Sequence, residues 1–294
     1  NNYKIIIMKS LKYFFEYIFV RIFYTIFRIL GLKLSSFITG KIFKIYGVFS
    51  KRTPKAIYNI GEAIKEKDLK ERKKIILKMW ENFGRVVGEY PNLDRIRVIN
   101  NDRIKIINIR NLLNPLKNNK NCLFFSAHLG NWELTSHALK ENGFNINFIY
   151  RAPNNKYVDD LLRKIRFRYG VGLIKKGPEG ARECIKVLSN SGGNIGMLID
   201  QKMNDGISTK FFNKNVMTPS AIAKFALKFK CPIIPAFCIR EYGTNFRIEY
   251  LEPISYEKIK SLSSEEKIMN HLNKIVEIWI RKYPDQWIWI HNRW

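Results

Sequence analysis

Residues 122–141 read CLFFSAHLGNWELTSHALKE, and their reading decides the fold. Cys122–Ser126 is a short continuous apolar run, the pattern of a strand covered on both faces. Gly130 and Asn131 permit a tight turn and a helix start, so a helix is expected over Asn131–Glu141. The alternation continues downstream. Strands are expected at Ile146–Tyr150, Gly172–Ile174, Asn194–Ile199, Pro232–Ile239 and Asn245–Tyr250. Helices are expected at Lys156–Tyr169, Pro178–Ser191, Pro219–Phe229 and Ser264–Tyr283. This order predicts the α/β class, with a mostly parallel central sheet flanked by helices. Upstream, residues 33–91 read as helical. Ile75, Ile76, Met79, Trp80, Phe83, Val86 and Val87 make one stripe along Leu69–Tyr90, and Pro91 closes it. With no internal repeat and no long linker, the economical division is a helical arm over residues 1–50 and one α/β domain over 51–294.

The chemistry is expected at the carboxyl ends of the strands, where ligands collect in open α/β sheets. His128 follows the first of these strands directly. An imidazole titrating near 6.5 suits a general base. Glu133 stands five residues on, and the partly non-helical chain between them lets the glutamate fold back and orient the imidazole. Backbone N–H groups at the helix start are candidate oxyanion donors. No GxSxG elbow and no cysteine beside His128 supplies an enzyme nucleophile. A base without a nucleophile activates a hydroxyl of the substrate, which points to direct acyl transfer. Arg151 ends the second strand, and Arg163, Lys164, Arg166 and Arg168 load the next helix. Arg151 and Arg166 are candidates for gripping phosphate, the alternative being a solvated helix face. Asp200 and Gln201 sit at another strand end, where a turn or cap role is the alternative for the aspartate. The tryptophans of Pro284–Trp294 suit packing on the sheet or on lipid.

The chain has 294 residues, 52 Lys+Arg and 25 Asp+Glu, a formal net charge of +27. Its 46% hydrophobic content excludes a disordered chain. Residues 1–55 hold eleven basic residues and one acid, Glu16, beside strongly apolar neighbours. That mixture points to a membrane surface rather than to nucleic acid, for which no zinc-finger or RNP pattern is present. The run IIIMKSLKYFFEYIFVRIFYTIFRILGL over residues 5–32 is broken by Lys9, Lys12, Glu16, Arg21 and Arg28. Lys9, Lys12 and Glu16 share one helical face, and Arg21 and Arg28 another. Two polar faces suit a helix lying in the interface, its basic side chains snorkelling to headgroups; a helix packed on the domain is the alternative. The interrupting charges do not fit a cleaved signal peptide. The first residue is Asn1, so a start upstream is expected. Cys122, Cys184, Cys231 and Cys238 form no CxxC pair and read as reduced, buried thiols. The four histidines lack metal-ligand spacing, and no metal or cofactor is expected.

Several blocks, in order, carry a resemblance: Ser126-Ala-His-Leu-Gly-Asn-Trp-Glu133, Tyr150-Arg151, the Arg166/Arg168 helix, Asp200-Gln201, Phe211-Phe212, Thr218-Pro219, and Pro284-Asp-Gln-Trp-Ile-Trp-Ile-His-Asn-Arg-Trp294. The sequence resembles the bacterial lipid A late acyltransferases, the lauroyl/myristoyl transferases of the lysophospholipid acyltransferase-like superfamily. The likeness covers nearly the whole chain. It departs at His291-Asn-Arg293, where the family shows His-Arg-Arg, and at Ala152, which separates Arg151 from Pro153. The resemblance implies a glycerophosphate acyltransferase-like fold at the cytoplasmic face of the inner membrane. It implies an acyl donor, acyl carrier protein or acyl-CoA, and a phosphorylated glycolipid acceptor whose hydroxyl is acylated. His128 and Glu133 become the expected catalytic pair, with Arg151, Arg166, Asp200 and Gln201 on substrate. Another glycolipid acceptor, such as a phosphoinositide mannoside, is the second reading; a non-catalytic lipid- or nucleic-acid-binding protein is the third.

Overall fold

The structure, a computed structural model, describes residues 2–117 and 121–294, with side chains from Met8 onward; Asn1, where the arm is expected to begin, lies outside them. Helix α1 spans Asn2–Phe49 and is broken once, at Gly31 (φ 73°, ψ 175°), a conformation open to glycine. The carbonyls freed at the break find new donors. Phe27 O accepts from Ser35 Oγ and Asn92 Nδ2, and Arg28 O accepts from Arg95 Nη1. α2 covers Thr53–Ala63, and α3 covers Leu69–Glu89. A reciprocal capping box between Asp68 and Glu71 starts α3, and a 3₁₀ turn at Tyr90–Arg95 follows it. Gly84 and Gly88 of α3 lie so close to Thr39, Phe43 and Ser35 that a Cβ at either would collide with α1.

The remaining elements run β1 (Ile104–Ile107), α4 (Ile109–Lys117), β2 (Cys122–Ser126), a 3₁₀ turn (Trp132–Ser136), α5 (His137–Glu141), β3 (Ile146–Tyr150), α6 (Lys156–Arg168), β4 (Val171–Lys175), α7 (Pro178–Ser189), β5 (Asn194–Leu198), β6 (Ile207–Phe211), β7 (Lys214–Thr218), α8 (Ala221–Phe229), β8 (Ile233–Tyr242), β9 (Asn245–Tyr250), α9 (Tyr256–Ser261) and α10 (Glu265–Lys282). Seven strands form one sheet in the order β1-β9-β8-β2-β5-β3-β4. β8, β2, β5, β3 and β4 are parallel, as the alternation of strands and helices predicts. β9 returns antiparallel to β8 through a tight turn at Gly243 (φ 52°), and β1 lies parallel to β9. The sheet is therefore mostly parallel, with two reversed strands, β9 and β1, at one side.

Central β2 shows why the apolar runs are continuous. Leu123 and Phe125 enter a core with α2, α3, α7, α8 and α10; Cys122 and Phe124 enter a second core with α4, α5 and α6. All four cysteines are buried and none forms a disulfide, as expected. One expected element of the domain is corrected. The helix expected over Asn131–Glu141 is a 3₁₀ turn followed by only five α-helical residues. β1 and the β6–β7 hairpin fall in segments to which the sequence pattern assigns no element. The hairpin turns on Phe212 and Asn213, both at positive φ, without a glycine to announce it.

The arm also differs from a helix with two solvated polar faces. Arg28 forks onto the Asp94 carboxylate (2.7 and 2.8 Å) and onto Pro91 O. Glu16 accepts from Asn155 Nδ2, and Tyr24 OH from Arg168 Nη1. These polar groups fasten α1 to the domain. Its outward face remains apolar, and among the described residues no helix is long and apolar enough to cross a membrane.

Candidate active site

β2 and β5 are neighbours, with Ser126 opposite Leu198. Two residues beyond that pair, the register sets His128 beside Asp200. Asp200 Oδ1 lies 2.9 Å from His128 Nδ1, and Oδ2 accepts from the His128 backbone N–H (3.0 Å) and from Trp287 Nε1 (2.7 Å). Burial opposes ionisation of this fully enclosed carboxyl. The opposing influence of His128, by charge and by two hydrogen bonds, wins and holds it well below the usual carboxylate range. An ionised Asp200 makes Nδ1 the protonated nitrogen of His128 and leaves a lone pair on Nε2. The His128 side chain is 17% exposed while its partner is sealed.

The turn after β2 is clamped. Gly130 (φ 58°) lies where a Cβ would meet Cys238 O at 2.0 Å, which explains the glycine. Its N–H donates to Gln286 O, and its carbonyl accepts from Asn82 Nδ2. Asn131 Nδ2 donates to Glu89, which is fully buried against Arg240 and also accepts from Ser36 of α1. The three backbone donors that precede the expected helix start are committed. His128 N–H is spent on Asp200, Leu129 N–H on Ala127 O and Gly130 N–H on Gln286 O.

Glu133 is not the partner of His128. Its carboxylate accepts from Arg166 Nε (3.1 Å), Arg166 Nη2 (2.6 Å) and Tyr169 OH (2.7 Å). Asn131 takes a non-helical conformation and a 3₁₀ turn follows, which directs Glu133 toward α6. Burial alone would raise its pKa; Arg166 and Tyr169 bring it below the usual range instead. Arg166 in turn is raised, burial being outweighed by Glu133. Two of its guanidinium nitrogens, Nε and Nη2, are held by the Glu133 carboxylate. Arg151 is exposed, one residue beyond the end of β3.

Gln201 joins the pair. Its Nε2 lies 3.3 Å from His128 Nε2 and 3.1 Å from His291 Nε2. His291 is pushed down to about 4, first by burial and then by His128, with Asp200 opposing. The terminal segment thus closes the site with Trp287 and His291, and Asn59 Nδ2 fastens it through the carbonyls of Trp289 and His291. Bacterial lipid A biosynthesis acyltransferase is the description of the family that matches residues 6–294. The chain belongs to that family. No curated protein matches it.

For a lipid A biosynthesis acyltransferase, an acyl donor and a lipid acceptor are implied. The site of this acyltransferase gathers His128, Asp200 and Gln201 in one cluster, and Glu133 with Arg166 in a second. Trp287, His291 and Tyr169 are the residues that sequence reasoning left without a role. The terminal block carried a signal in its resemblance, but its tryptophans suited sheet and lipid equally. Trp287 settles on the sheet side, with its indole N–H on Asp200.

Proposed function

We propose that this chain is an O-acyltransferase that moves a fatty acyl group from an acyl thioester to a hydroxyl of a lipid A precursor. The donor is acyl carrier protein or acyl-CoA, and the acceptor is a phosphorylated glucosamine lipid. The observation that carries the reading is the sealed Asp200 carboxylate on Nδ1 of a partly exposed histidine, with no nucleophilic cysteine or serine beside it among the described residues. Ser126 is buried with its hydroxyl on Ala127 O, and all four thiols are buried.

His128 Nε2 takes the proton of the acceptor hydroxyl as its oxygen attacks the thioester carbonyl. A C–O bond forms, the tetrahedral intermediate collapses, the C–S bond breaks, and the imidazolium returns the proton to the leaving thiolate. Asp200 keeps the imidazole in the productive tautomer and stabilises its protonated form. Residues 1–50 serve as the arm that lies on the cytoplasmic face of the inner membrane, with residues 51–294 as the catalytic part. Exposed Arg151 is the candidate for the glycolipid phosphate. Thioester-dependent acylation of a purified lipid A precursor by wild type, His128→Ala and Asp200→Ala tests the reading. Both variants are expected to lose turnover; wild-type rates in either would sink it.

A further inference from the structure

Gln201 stands between two imidazoles, and the count of hydrogens on its amide nitrogen is informative. That nitrogen has two N–H donors and no acceptor capacity. It is 3.3 Å from Nε2 of His128 and 3.1 Å from Nε2 of His291. Each imidazole must therefore present a lone pair on Nε2 and carry its proton on Nδ1. For His128 that agrees with the Asp200 bond on the other side of the ring. The free enzyme thus holds an N–H donor on the atom that is to act as base.

An acceptor hydroxyl must come within roughly 2.6–3.2 Å of His128 Nε2 to give up its proton. It takes the place of the Gln201 bond. The amide stays tethered by the second bond, to His291, which is the shorter of the two. One N–H is then free, adjacent to the attacking oxygen and so to the carbonyl carbon that it joins. The thioester oxygen becomes negative at that moment and needs donors close by. The backbone amides of His128, Leu129 and Gly130 cannot supply them, since each is already engaged. The Asn131 side chain is spent on Glu89.

We infer that Gln201 is a catalytic residue that donates its freed N–H to the tetrahedral oxyanion, and that His291 is a positioning residue that holds the amide for it. The inference rests on the acyl-transfer reading above. In the resting enzyme the same amide caps the base, so the donor is released only when an acceptor hydroxyl is in place. Burial keeps His291 neutral at working pH, which preserves its role as acceptor.

The test is steady-state acyl transfer from an acyl thioester to a lipid A precursor by wild type, Gln201→Met, Gln201→Glu, His291→Phe, His291→Gln and His128→Ala. Gln201→Met keeps the length of the side chain and removes both donors. It is expected to lower kcat by about 10²–10³ with KM for either substrate changed less than about threefold. Gln201→Glu is expected to fall at least as far, because it sets a negative group against the oxyanion. His291→Phe should lower kcat by about tenfold, and His291→Gln, whose amide oxygen can accept, should recover most of that loss. Nitrogen-15 NMR of the imidazoles provides the readout that structural damage alone would change: His128 should remain Nδ1-protonated in Gln201→Met. A Gln201→Met enzyme with kcat within threefold of wild type, beside an inactive His128→Ala, overturns the inference and leaves the acyl-transfer reading intact. A raised KM at unchanged kcat also overturns it, by making Gln201 a substrate-binding residue only. An active His128→Ala instead removes the acyl-transfer reading itself.

Discussion

Asp200 lies 2.9 Å from Nδ1 of His128 although 72 residues separate them, whereas Glu133, five residues from the histidine, is turned to Arg166. The carboxylate at the motif spacing and the carboxylate on the imidazole are thus different residues. Asp200→Asn keeps acceptor capacity toward the His128 backbone N–H and Trp287, but no longer stabilises an imidazolium. It is expected to lower kcat by about 10³–10⁴ with the fold retained. Circular dichroism and thioester turnover measured on one preparation check this; a drop below tenfold refutes the role proposed for Asp200.

Glu133 and Arg166 behave as a buried ion pair, joined by two guanidinium bonds and supported by Tyr169. Glu133→Ala leaves the guanidinium largely enclosed and uncompensated. Such a loss costs about 3–5 kcal/mol, more than either a neutral swap or removal of both charges. Glu133→Ala should therefore unfold at markedly lower urea concentration, and Glu133→Gln combined with Arg166→Met should recover much of the difference. If the double variant is as unstable as the single one, the pair is not what Glu133 contributes.

His291 yields a pH prediction with a definite sign. Its pKa is lowered from 6.5 to about 4, so the folded protein declines a proton that the unfolded chain accepts. The associated stability is fully present above pH 6.5 and is lost as pH falls toward 4. The gap corresponds to about 3 kcal/mol at most. His137, buried against the Tyr169 ring and likewise lowered by burial, contributes in the same direction. Thermal unfolding midpoints should fall between pH 6.5 and 4.5, and His291→Gln should flatten part of that slope. A slope unchanged in the variant would assign the loss to other groups.

These contrasts show what the sequence could carry. β2, β3 and β9 fall on their expected residues because apolar runs bounded by turn residues report local burial. The short β1 and the β6–β7 hairpin escape the same reasoning. β1 has four residues, and the hairpin turns on Phe212 and Asn213 where no glycine marks it. His128 was visible because it follows its strand directly. Its link to Asp200 depends on β2 pairing with β5, a long-range choice that no local pattern encodes. Glu133 looked like the partner because distance along the chain was the only distance available. Arg166 then outcompetes the imidazole by offering two charged donors where His128 has already given Nδ1 to Asp200.

The outward face of α1 carries the last prediction. Phe15, Phe19, Ile22, Ile26 and Ile29 recur at helical spacing of four and three, and all are exposed, Ile29 at 80%. Arg28, seven residues after Arg21, does not belong to that face; it is fastened to Asp94 and Pro91. Burying one phenylalanine in the acyl boundary contributes about 1.5–3 kcal/mol. Phe15→Ser with Phe19→Ser should therefore lower binding to vesicles containing phosphatidylglycerol by at least about a hundredfold, in a co-sedimentation assay. Arg28→Gln should leave vesicle binding within about twofold of wild type while lowering the unfolding midpoint, because its charge serves the domain and not the headgroups. Arg28→Gln releasing the protein from vesicles at unchanged stability would return that arginine to the interface. Undiminished binding by the double serine variant would instead mean that the apolar stripe faces something other than lipid.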